Sequence, residues 1–271
     1  MEPSRPNLLL ALAALLSVCH AGSADPNKAH PHQGLLKKYD RVPPSSIGLG
    51  NLGVKDEDLR KGDPVLKKIS LPGGFLRAVS IQDVHAPESV IFSAINDLPR
   101  YPKMVDGVVK CDVYKKEKSM SGMTTVCAEY MLKSHGIGLK YYMKHIYEPK
   151  KHAMTFHLDY ERCSDLSDSV GYWYVQDMQD GWCRVYYSTD SQLPAFVPKM
   201  LKDVITNIGL KRSTSWVAAR CNELTGFSGE AGDGAVAGAK GKGRGPLAKL
   251  LRKAILVAML AGAWQLKTAV L

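Results

Sequence analysis

Five histidines, His85, His135, His145, His152 and His157, are scattered over the middle of the chain. None stands at ligand spacing from a cysteine or another of the five, so no shared metal site is expected. His30 and His32 are close together, but in a polar stretch that reads as a solvated loop. Glu129, Asp159 and Glu161 lie on or at the ends of strand-like segments. A carboxyl facing a cavity there could do acid and base work, while an outward, solvated placement is the expectation. There is no GxSxG, HExxH or Walker loop. Gly48, Gly50 and Gly53 match GxGxxG by letter, but no strand precedes them. No catalytic set and no cofactor are therefore expected.

What the sequence offers instead is apolar and aromatic surface. The candidate ligand-binding residues are Tyr130, Tyr141, Met143, Tyr172 and Trp173 on strands, with Val197, Leu201, Val204 and Ile208 on one helical stripe. Tyr and Trp join a ring to one polar group that can orient a ligand. Met adapts to irregular shapes. Alternation alone does not say which face of each strand points inward, so simple core filling is the competing reading.

Positioning these residues requires a particular set of elements. Residues 75–85 read as a strand. The run Ala86-Pro87-Glu88-Ser89 then opens a helix, with Val90, Ile91, Ala94 and Ile95 at helical spacing. Leu98-Pro99-Arg100-Tyr101-Pro102 ends or redirects it. Six further strands are expected at 108–115, 124–132, 137–147, 153–160, 169–176 and 182–193, because these are rich in Tyr, Val, Thr and Met. Turn residues separate them: Ser121-Gly122, His135-Gly136, Pro149-Lys150-Lys151 and Asp180-Gly181. Residues 198–224 read as one long helix with an apolar face. The expected fold is α+β: a curved antiparallel sheet of about seven strands wrapped on a long C-terminal helix, with an apolar cavity between them.

The segments Val84-His85-Ala86-Pro87-Glu88-Ser89-Val90-Ile91-Phe92 and Asn96-Asp97-Leu98-Pro99-Arg100-Tyr101-Pro102 resemble the opening of the polyketide cyclase/coenzyme Q-binding branch of START-like (SRPBCC) proteins. Asp168-Ser169-Val170-Gly171-Tyr172-Trp173 resembles that family's Gly-aromatic-Trp strand, and Asp180-Gly181-Trp182-Cys183-Arg184-Val185-Tyr186-Tyr187 the strand after it. Residues 193–216 resemble its gripping helix. The resemblance implies a helix-grip fold over 74–224 and an apolar ligand. The family's ligands include quinones, sterols, phospholipids, pigments and polyketides, so it does not name one.

The flanks suggest location. Residues 1–24 read as a signal peptide, with Arg5 before an apolar run at 8–18 and small residues suited to cleavage after Ala21 or Ala24. Residues 25–73 read as an extended lead-in, allowing a short helix within 56–69 that Gly62 and Pro64 interrupt. Residues 225–246 hold eight glycines and read as a linker. Residues 247–271 read as a basic-apolar, membrane-associating tail. The 11 residues from 254 to 264 carry no polar side chain, short of the roughly 20 that span a bilayer. The tail therefore spans marginally, lies in the interface, or packs on protein.

The net charge is +10, and seven of those charges come from the basic residues beyond position 239. A basic tail without aromatic interleaving disfavours nucleic acid as a partner. The six cysteines form no CxxC pair and read as buried thiols, with a Cys111–Cys127 disulfide left open if the two face each other.

Three functions fit. The leading one is binding or transfer of a hydrophobic small molecule, a quinone or other lipid, near a membrane along the secretory pathway or in an organelle reached through it. The others are a polyketide cyclase/dehydratase-type enzyme and a membrane-tethered interaction protein with a filled core.

Overall fold

A computed structural model describes residues 53–61, 64–71, 75–134, 137–166, 168–192 and 213–227. The expected signal peptide, the expected Gly-rich linker beyond residue 227, the expected C-terminal tail and most of the expected gripping helix lie outside the described residues.

The described elements are α1 (Asp56–Leu59), β1 (Val65–Leu71), β2 (Phe75–Val84), α2 (Glu88–Asn96) and α3 (Tyr101–Met104). They continue with β3 (Val108–Lys118), β4 (Thr124–Ser134), β5 (Ile137–Glu148), β6 (Ala153–Leu158), β7 (Asp168–Asp177), β8 (Cys183–Gln192) and α4 (Trp216–Thr225). The strands form one antiparallel sheet in the order β1-β2-β8-β7-β6-β5-β4-β3. β3 through β8 pair in chain order as a meander, with turns at 119–123 and 178–182. Gly122 (φ 86°) and Gly181 (φ 85°) supply left-handed positions in those two turns.

The seven expected strands are present, with ends within three residues of those expected. An eighth, β1, belongs to the sheet as well. It pairs with β2 from Val65 opposite Ile81 to Leu71 opposite Phe75. The segment expected to hold a short helix therefore divides into one helical turn and an edge strand. Of the helix expected over 198–224, the described residues include α4, Trp216–Thr225.

Two clusters cover the two faces of the sheet. The larger fills the concave side, where α2 contributes Ile91, Phe92 and Ile95 and α4 contributes Trp216, Val217 and Cys221. Burying three such α2 side chains stabilises the fold by about 5 kcal/mol before entropy costs. The smaller cluster sits on the convex side, where Leu59 of α1 covers Val79, Ile81, Tyr172 and Tyr186. An ion-pair network ties that cover down. Arg184 grips Asp83 through Nε–Oδ1 (2.7 Å) and Nη2–Oδ2 (3.0 Å) and reaches Asp56 at 3.0 Å.

β7 is buried on nearly its whole length, as a strand packed on both faces must be. At Gly171 a Cβ would lie 2.2 Å from the Ser188 carbonyl oxygen and 2.4 Å from the Phe156 ring. Only glycine admits that close approach of ring to backbone.

Candidate apolar ligand site

The concave face is built mostly from alternate residues of β2 to β8. On β4 and β5 the register sets Tyr130 opposite Tyr141 and Ala128 opposite Met143. The two tyrosine rings stack with centroids 5.2 Å apart and planes 5° from parallel. Tyr101 stands 6.2 Å from Tyr130 and 5.5 Å from Trp216. Trp216 meets Trp173 edge-on at 6.3 Å, and Trp173 meets Tyr187 at 4.4 Å. Phe156 stacks on Tyr187 at 5.8 Å, over Gly171. Aromatic surface thus runs from β4 round to β8.

One polar pair is set into this face. The Tyr130 hydroxyl lies 3.1 Å from His145 Nε2, and His145 Nδ1 lies 3.2 Å from the Val126 carbonyl oxygen. A carbonyl can only accept, so Nδ1 carries the proton and Nε2 accepts from Tyr130. Burial lowers the His145 pKa to about 4, so the ring is neutral at physiological pH. Burial also pushes the Tyr130, Tyr141 and Tyr101 hydroxyls up, which keeps them protonated. The Cys111 thiol, beside Tyr130 across the β3–β4 register, is raised to about 12 by burial. It is therefore not a poised nucleophile.

A second polar group lies between β2 and the start of α4. Gln82 Nε2 donates to the Thr214 carbonyl at 2.9 Å, and the Ser80 and Thr214 hydroxyls meet at 2.8 Å.

The candidate residues divide as follows. Tyr130, Met143 and Trp173 belong to the concave cluster, and Tyr141 is packed against it. Tyr172 faces the convex side beneath Leu59, as it must when its neighbour Trp173 faces inward. Val197, Leu201, Val204 and Ile208 lie outside the described residues. Of the carboxylates, Glu129 points outward and pairs with Lys110 at 2.8 Å and Lys140 at 3.4 Å. Asp159 accepts from Tyr114 at 2.6 Å, and Glu161 is exposed. Cys111 and Cys127 do not face each other. Their register partners are Tyr130 and Lys115, and both are free thiols.

His145, Gln82 and Tyr187 are site residues that a search for motifs passes over. The signal for His145 was present: it continues the 141, 143, 145 alternation of β5. Gln82 had no such signal, because its burial depends on Thr214, distant in sequence.

No family model and no curated protein matches the chain. Solved structures of low identity are similar to it. One is a STAR-related lipid transfer protein fragment from Xanthomonas axonopodis, with TM-score 0.49 and 9% identity, covering 62% of this chain and 97% of that one. A START superfamily protein from Mycobacterium smegmatis has TM-score 0.46 and 13% identity, covering 55% and 98%. A Streptomyces aromatase/cyclase has TM-score 0.45 and 10% identity, covering 55% and 94%. The strand order, with α2 and α3 between β2 and β3 and α4 on the concave side, makes the fold of this chain START-like.

Proposed function

We propose that the chain binds and carries a hydrophobic small molecule, a quinone or another lipid, on its concave aromatic face. The observation that supports this is the belt of rings from Tyr130 to Tyr187 with a buried, neutral Tyr130–His145 pair set in it. Apolar surface supplies affinity, about 25 cal/mol per Å² buried before association costs. A few buried polar groups supply orientation. In this reading the basic-apolar tail holds the carrier near a membrane and the N-terminal segment directs it into the secretory pathway.

Fluorescence titration of Trp173 and Trp216 with decylubiquinone and with a fluorescent sterol tests the binding step. Saturable quenching or energy transfer is expected for at least one probe, weakened in Trp216→Ala. No saturable signal with either probe would oppose the reading.

A cyclase- or dehydratase-type enzyme is the second reading, and His145 favours it specifically. A neutral buried imidazole behind a tyrosine hydroxyl can receive a proton relayed through that hydroxyl. Turnover of an aromatic polyketide probe, lost in His145→Gln, would move the conclusion there.

A further inference from the structure

We infer that the concave face selects ligands that present hydrogen-bond donors, that is, hydroxylated apolar molecules, over ligands of the same shape that present only acceptors. The inference rests on the carrier reading and deepens it.

Gln82 is 1% exposed. Its Nε2 donates to the Thr214 carbonyl, which fixes the amide orientation, because the reverse would set oxygen against oxygen. Its Oε1 is then buried without a hydrogen-bond partner. Buried carbonyl oxygens rarely stay unpaired in folded proteins, since leaving one unmet costs free energy. A donor from outside the chain would satisfy it.

Tyr130 reaches the same polarity by a different route. Val126 O orders His145, His145 Nε2 takes the Tyr130 proton, and the tyrosine oxygen is left with its lone pairs. The Cys111 thiol, opposite Tyr130 in the β3–β4 register, can occupy at most one of them. Two of the other donors on this face are turned onto the backbone. The Tyr101 hydroxyl donates to Ile95 O at 2.7 Å, and Trp216 Nε1 to Ser213 O at 2.8 Å. Two anchors on separate strands, β2 and β4, therefore both ask for a donor.

The test is anaerobic calorimetry of the full chain with a matched pair, decylhydroquinone and decylquinone, which differ by two hydrogens. The hydroquinone is expected to bind about tenfold more tightly. Gln82→Met and Tyr130→Phe, each checked for native circular dichroism, remove one acceptor apiece. At least one should erase the preference by weakening the hydroquinone more than the quinone. Equal affinities, a preference for the quinone, or a preference retained in both variants would overturn the donor inference and leave the carrier reading standing. Binding of neither probe would overturn both.

Discussion

The Tyr130 hydroxyl and His145 Nε2 lie 3.1 Å apart inside a largely apolar face, and the Val126 carbonyl fixes which of them holds the proton. Burial holds the imidazole pKa near 4, against 6.5 for the exposed group. The unfolded chain therefore binds a proton here that the folded chain refuses. The stability this neutral ring allows is fully present above pH 6.5 and is lost as pH falls from 6.5 toward 4. The full shift corresponds to roughly 3 kcal/mol. Urea unfolding of the parent and of His145→Gln across pH 7 to 4 measures it. The parent should lose more stability than the variant in that window, and parallel curves would contradict the assignment.

Among the described glycines, Gly171 leaves the least room for a Cβ. Gly171→Ala would press a methyl group on the Ser188 carbonyl oxygen, which the β7–β8 ladder holds in place. A loss of about 3 kcal/mol is expected in denaturant unfolding. Adding Phe156→Leu should recover only part of it, because the carbonyl contact remains. A change below about 0.5 kcal/mol would show that the backbone yields there.

The Asp83–Arg184 pair is buried on the convex side, with side chains 0% and 5% exposed. Asp83→Ala leaves a buried guanidinium with the exposed Asp56, at 3.0 Å, as its remaining carboxylate among the described residues. The expected cost is about 3 kcal/mol. The double variant Asp83→Leu with Arg184→Met removes both charges and should recover most of that loss. A double variant no more stable than the single one would count against a charge-driven cost.

Much of this architecture is legible in the chain. Alternation over β2 to β8, punctuated by Ser121-Gly122 and Asp180-Gly181, marks seven strands. β1 escapes because Val65-Leu66-Lys67-Lys68-Ile69 alternates poorly and follows Pro64, so only its pairing with β2 makes it a strand. Tyr172 and Trp173 illustrate a different limit. Neighbours on a strand cannot share a face, and composition does not say which one turns inward. Here Leu59, from a segment that reads as a lead-in, decides it by covering Tyr172. Gln82 is the hardest case, since its burial comes from Thr214, far along the chain.

The cysteines offer a simple check on the burial pattern. Burial raises Cys111 and Cys221 to about 12 and Cys183 to about 11, and it raises Cys127 as well. Cys163 is exposed. Under native conditions iodoacetamide should label Cys163 well before Cys111, Cys127, Cys183 and Cys221, as read by peptide mass spectrometry. Early labelling of Cys111 would mean that the Tyr130 region is open to solvent.

The central claim is that the concave aromatic face holds an apolar ligand. Native mass spectrometry of the chain purified from a eukaryotic host, followed by organic extraction, tests it most directly. The expected result is a stoichiometric adduct whose extract contains a quinone, sterol or other lipid, with less adduct in Trp216→Ala. An empty protein that also takes up none of these on incubation would contradict the claim and point to a filled core or a specialised cyclase substrate.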